Sequence, residues 1–373
     1  MKAFLEKRRQ RIYDWMGAAG IALVMFEDFE GRRDPSVRWL TGHPGDALLF
    51  LSADKKSLLV PWDINMARFY AEADRIIPYG DFELQPIKAL RGAAEYLKTP
   101  PGSRLEIPPN TSYPSFLKYV EEVTDFDVLC RKDGVYELVK DLRMVKDDEE
   151  ISIYRKAAAI TNEIIDLLEV QVHAGTLKTE LDAALFIEAE GRKRGCEGTG
   201  FETLAAGPDR SFGIHAFPAF TNAAFAAHGL SILDFGLKYQ GYTTDVTMTF
   251  ACGPLSKGQE KLLTLTEKAY KLALGMVGGG IAVRDIALAV NAFFGKAKKA
   301  MPHGLGHGIG LETHEDPFLR TRTDPALTLQ TGMLFTLEPG LYDPVHGGCR
   351  LENDVLVTGE GVEVLTRSRV VRL

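Results

Sequence analysis

The chain has 373 residues, 45% of them hydrophobic and 25% charged, with a formal net charge of −7. Those values fit a globular protein of two domains with full cores and argue against a nucleic-acid partner. No apolar run approaches the ~20 residues of a membrane span, so no membrane association is expected. The N-terminal stretch MKAFLEKRRQRIYDW is charged from its first turns, which argues against a secretory leader. Its basic residues read as a solvated helix face. The four cysteines, Cys130, Cys196, Cys252 and Cys349, form no CxxC. A zinc ribbon or disulfide framework is therefore not expected, and a reduced, cytoplasmic setting fits.

Along the first third, apolar strands alternate with amphipathic helices. A strand is expected at 21–26 after an N-terminal helix. Strands at 47–51 and 57–61 flank a hairpin loop, Ser52 to Lys56. Helices at 64–73 and 86–98, a strand at 104–107 and a helix at 115–122 complete an α/β domain over residues 1–133. Residues 131–134 lack periodicity, and 134–146 is read as a linker. From there a larger domain, 147–373, opens with a helix to about Val172. The acids Asp147 to Glu150 suit the positive end of that helix. A second helix spans about 179–194. Beyond Gly200, strands at 231–235, 242–251, 333–338, 350–358 and 362–366 enclose helices near 259–277 and 283–300, an α+β pattern.

Three groups of residues carry chemistry. In LDFGLKYQGYTTD, a four-residue loop from Lys238 to Gly241 would pair Leu237 with Tyr242 and set Asp234 opposite Asp245 on one face. Facing carboxylates on adjacent strands repel, so either one is protonated or a cation lies between them. A polar pair at an exposed sheet edge is the plainer alternative. The segment HGLGHGIG, followed by His314, places three of the eight histidines within twelve residues, among glycines that let backbone approach closely. It is neither a phosphate loop nor HExxH. At least one of these histidines is expected on a metal. Finally, Glu338 ends one apolar strand and Glu352 begins another, and a buried glutamate needs a partner. A salt bridge, with Arg350 for Glu352, would also serve. Four carboxylates and a neutral histidine carry a charge of about −4, which two divalent cations balance; an oxygen-rich set with one histidine suits Mn²⁺, Co²⁺ or Zn²⁺.

The stretches LDFGLKYQGYTTDVTMTF, HGLGHGIGLETHEDP, FTLEPGLY and CRLENDVLVT together resemble the prolidase and aminopeptidase P branch of the creatinase-like metallopeptidases. SVRWLTGHPGDALLFLSADKKSLLV is similar to the family's N-terminal domain. The resemblance implies a pita-bread catalytic domain behind a smaller creatinase-type α/β domain. It implies hydrolysis of Xaa-Pro bonds by a metal-activated hydroxide, on peptides with proline second. By position, Asp234 would bind one metal, His307 and Glu338 the other, and Asp245 and Glu352 both. His314 matches the catalytic histidine, His215 and His303 match histidines near the substrate, and Arg350 matches an arginine beside the bridging glutamate. Glu338 would handle protons while His314 holds the carbonyl. The resemblance also implies a homodimer.

Three positions depart from the pattern. Met248 replaces an arginine, and Cys349 a small aliphatic residue. Phe318 stands four residues after His314, where some dipeptidases carry a carboxylate-binding arginine, although Arg320 is near. This favours an aminopeptidase acting on longer peptides. The alternatives are a creatinase-like hydrolase of a non-peptide amide or amidine, and a non-catalytic pita-bread binding protein.

Overall fold

A computed structural model describes residues 2–373. The chain divides into two compact units, Met1–Leu142 and Arg143–Leu373.

In the first unit, six strands form one mixed sheet in the order 75–76, 56–61, 47–52, 23–28, 104–106 and 127–129. Strands Leu23–Asp28 and Ala47–Ser52 are buried on both faces, which accounts for their unbroken apolar runs. Apolar side chains from these strands pack with Ala89, Leu90, Ala93 and Tyr119 of two helices. The hairpin loop is shorter than expected, because Lys56 pairs with Ser52. The expected linker at 134–146 is instead mostly the helix Val135–Met144. Its apolar residues Val135 and Val139 are buried at a spacing of four, which four residues of unpatterned sequence before it concealed.

The second unit is built on capped helices. Asp147 accepts from the Glu150 amide and Glu150 reaches back to the Asp147 amide, starting the helix Asp148–His173. Similar reciprocal caps start Glu180–Lys193 and Lys257–Leu274, each satisfying amides that the helix itself cannot. A four-stranded sheet, in the order 370–372, 246–252, 229–235 and 204–206, shares a core with the first helix pair. A five-stranded sheet, in the order 315–319, 306–308, 334–337, 353–358 and 361–364, shares a second core with Lys257–Leu274 and Val283–Lys296. The sheets meet where Thr247 and Glu352 form an isolated bridge. Ladders end at that seam, so it is where side chains on strand ends converge. Among the described residues, no helix is long and apolar enough to cross a membrane.

One expected register is corrected. Tyr239 pairs with Tyr242 and Lys238 with Thr243, so the loop is the two residues Gln240 and Gly241, both at positive φ (48° and 89°). Two positive φ values in sequence define the hairpin turn whose twist matches that of its strands. Asp234 therefore lies opposite Thr247, not Asp245. The slip is two residues, one full side-chain period, so Asp234 and Asp245 keep a common face as diagonal neighbours.

Candidate metal centre

Each expected ligand lies at a strand end near the seam. Asp234 is the penultimate residue of Gly229–Phe235, and Asp245 directly precedes Val246–Cys252. His307 is central in Gly306–Gly308. Glu338 follows Leu334–Leu337, and Glu352 precedes Asn353–Thr358. Two glycines permit the necessary backbone approach. A Cβ on Gly236 would lie 1.9 Å from the Thr244 carbonyl oxygen, and one on Gly306 would lie 1.9 Å from that of Thr336. The Glu338 amide also donates to Leu305 O at 2.8 Å, tying the glutamate strand to the histidine segment.

Ligand-capable atoms of Asp245, His307 and Glu352 lie within 4.8 Å of one another, and all three residues are buried. The His307 Nε2 is 3.7 Å from Asp245 Oδ2 and 3.8 Å from Glu338 Oε1. Its Nδ1 lies 3.0 Å from Gly308 O. With the proton on Nδ1 and donated to that carbonyl, the Nε2 lone pair faces the carboxylates, as a metal-binding imidazole requires. Asp234 stands outside the 4.8 Å group, and its Oδ2 accepts from Arg350.

The electrostatics call for a cation. Burial, then the charges of Glu352 and Asp234, push Asp245 well above the usual carboxylate range. Burial and Glu352 do the same to Glu338. Glu352 rises from 4.5 to about 7 through burial and Asp234, with Arg350 opposing. Oδ1 of Asp234 and Oδ1 of Asp245 are buried without a hydrogen-bond partner among the described residues. Buried, unpaired carboxylate oxygens are too costly to stand alone, so the donor set fits hard or borderline divalent ions. His307, lowered to about 3 by burial and by His314, stays neutral and available as a ligand.

Around the cluster is a cavity of about 430 Å³ whose lining includes the four carboxylates and the His307 imidazole together with His215, His303, His314, Arg320 and Arg350. The structure thus brings every expected site residue to one cavity. The His314 ring centroid is 4.3 Å from that of His307. His303 Nε2 is 3.0 Å from the Tyr342 hydroxyl, and its Nδ1 is 3.6 Å from Glu338 Oε2. Burial lowers His303 to about 4 and also lowers His314, with His215 next. Burial works against the Arg350 charge, but Tyr342, Asp234 and Glu352 outweigh it and hold the guanidinium protonated.

Sequence reasoning missed the residues that orient this set. Thr247 Oγ1 accepts from Arg350 Nε at 2.9 Å and donates to Glu352 Oε2 at 2.7 Å. Tyr342 accepts from Arg350 Nη1 at 2.7 Å. Asp354, buried, accepts from the Asp245 amide at 3.2 Å. The signal was the alternation of threonines in TTDVTMT: Thr247 and Thr249 both reach Arg350, while Met248 points into the apolar core.

The chain is similar to known proteins in sequence and in fold. An uncharacterized peptidase of Methanocaldococcus jannaschii is 31% identical over 257 residues, 68% of this chain and 70% of its own. The Xaa-Pro dipeptidase of Pyrococcus horikoshii is 26% identical, with 98% of both chains covered. The crystal structure of the X-Pro aminopeptidase from Thermotoga maritima matches with a TM-score of 0.84 at 25% identity, covering 98% of this chain and 99% of that one. Residues 152–359, more than half the chain and spanning every ligand candidate, match the family model itself. The chain therefore belongs to metallopeptidase family M24, with a pita-bread fold preceded by an N-terminal domain.

Proposed function

We propose that this protein is a metal-dependent exopeptidase that hydrolyses the bond before a proline. Asp234, Asp245, His307, Glu338 and Glu352 hold two divalent ions in this reading, of which Mn²⁺ suits the donors best, with Co²⁺ and Zn²⁺ as alternatives. The observation that carries it is the pair of unpartnered buried oxygens on Asp234 and Asp245, in the cavity that His307, Glu338 and Glu352 also line.

When bound, the ions supply Lewis acidity, lowering the pKa of water and polarising a carbonyl. His314, at the cavity wall beside His307, holds the carbonyl oxygen and its developing negative charge. Glu338, raised by burial and by Glu352, is suited to carry a proton to the leaving proline nitrogen. His215 and His303 contact the substrate from the same wall. Arg350 fixes the Asp234 carboxylate and, through Thr247, Glu352. The dipeptidase and aminopeptidase named above, both acting at Xaa-Pro, support this substrate class.

A specific observation favours dipeptides alongside the longer peptides that Phe318 suggests. The Arg320 guanidinium lines the cavity, lies 4.3 Å from the Phe318 ring centroid and has no acidic ion-pair partner among the described residues. It can donate hydrogen bonds to a substrate carboxylate.

The test is to strip the protein of metal, restore Mn²⁺, Co²⁺ or Zn²⁺ in turn, and assay Xaa-Pro, Xaa-Pro-Yaa and creatine. Metal-dependent release of the residue before proline is expected, with creatine untouched. Activity indifferent to metal, or confined to creatine, would overturn the proposal.

A further inference from the structure

An ion cluster centred on a buried carboxylate lies beside the site but has no part in the chemistry above. Glu315 directly follows His314, and its carboxylate is almost wholly buried, with 6% of the side chain exposed. Arg143 Nη2 donates to Glu315 Oε1 and also, at 2.9 Å, to Glu312 Oε2. Lys146, with 1% of its side chain exposed, donates to Glu315 Oε2 at 3.1 Å and to Arg143 O at 2.8 Å. The Glu312 amide donates to Glu315 Oε1 at 3.0 Å. Two cations and two anions thus close a neutral cluster around one carboxylate. Burial alone would raise the Glu315 carboxyl, but Lys146 and Arg143 hold it down to about 2.

The cluster packs against the segment joining His307 to His314. Gly308 pairs with Glu315 while His307 pairs with Phe318, so the ladder bulges between the two pairs. The intervening turn is held by Gly310 N donating to Glu312 O at 3.1 Å, and by Thr243 N donating to Gly310 O at 2.8 Å. A Cβ on Gly310 would lie 2.9 Å from the Glu315 carboxylate oxygens, so the turn packs directly on that anion. His314 is accessible to solvent as a residue while its ring lies against that of His307, and no hydrogen bond from its side chain is found among the described residues. With no hydrogen bond to fix the ring, its direction rests on its backbone anchor and on the His307 ring beside it.

We infer that Glu315, clamped by Arg143 and Lys146, is a positioning residue that aims His314 at the reacting carbonyl. Buried charge is an apt device for this, because a cluster satisfied on every side has one low-energy arrangement, whereas an apolar contact tolerates sliding. A misplacement of about 1 Å at a reacting group is enough to lower turnover by about 100-fold.

The inference rests on the reading that His314 acts on substrate. Glu315→Gln is assayed in the metal-loaded protein and again in a His314→Ala background, with metal content measured in each. Expected is a fall in kcat of about 10- to 100-fold with KM changed less than about 3-fold, metal retained, and an effect below about 2-fold once His314 is gone. Equal losses in both backgrounds, or none in either, overturn the inference. Should Glu315→Gln fail to fold, Glu315→Asp keeps the buried charge but draws the chain one methylene towards Arg143; the same non-additive loss is expected, and its absence counts against the inference. If the unmutated protein cleaves no Xaa-Pro bond, the functional proposal falls instead, before the variants are compared.

Discussion

At the scale of single residues, the site divides into groups that bind cations and groups that face substrate. His307 has both ring nitrogens committed to the buried cluster, one towards Gly308 O and one towards the carboxylates. His314, seven residues on, is exposed beside it. His314→Ala should therefore lower kcat by about 10²- to 10³-fold, the usual loss for one oxyanion donor, while metal content stays unchanged. Elemental analysis together with steady-state kinetics checks this; a parallel loss of metal would make His314 a ligand. The residue types and their order could be read along the chain. The threonine relay through Thr247 and the tyrosine cap on His303 could not, because a hydroxyl in a strand is equally consistent with a solvated face until its neighbours are known.

Among the elements, the hairpin bearing Asp234 and Asp245 shows how a turn governs a site. Gln240 holds φ 48°, a left-handed backbone that costs a side-chain-bearing residue roughly 1–2 kcal/mol. Asparagine tolerates that region better. Gln240→Asn should raise stability by up to about 1 kcal/mol, seen as a higher urea midpoint with kcat unchanged. An unaltered or lower midpoint would show that the turn is not where the strain lies. The expectation of a four-residue loop failed on this detail, since tyrosines on both sides of Gln240-Gly241 extend the ladder further than the polarity of Lys238 suggests. The common face survived because strand side chains repeat every two residues. The helix Val135–Met144 escaped notice for a related reason: its short apolar stripe, 10 residues long in all, follows a charged, glycine-containing segment that reads as a break.

For the molecule as a whole, the acidic centre stores repulsion that a cation relieves. Glu352 in the folded protein is raised from 4.5 to about 7 without metal. A carboxyl raised on folding binds its proton more tightly in the native state, so the stability tied to it is present below about 4.5 and is lost as pH climbs through about 7. The melting temperature of metal-stripped protein should therefore fall over that interval more than that of the loaded protein. Glu352→Gln should flatten the fall and abolish the response to added Mn²⁺. Scanning calorimetry between pH 4.5 and pH 8, values set by those limits as roughly bracketing the titration, reads both. Equal slopes for stripped and loaded protein would mean that the cluster carries no such repulsion.

The chemistry available to this protein is legible along the chain: four carboxylates and a histidine on strand-forming segments, the glycines that allow close backbone approach, and the helices whose caps and periodicity are local properties. Such features act over a few residues and survive in a linear reading. Tertiary structure alone decided that the two sheets meet at Thr247 and Glu352, that Arg350 serves Asp234 directly and Glu352 through a threonine, and that Arg143 and Lys146 close on Glu315 about 170 residues away. Those contacts join segments far apart in sequence, and only burial, which removes water as the competing partner, makes them specific.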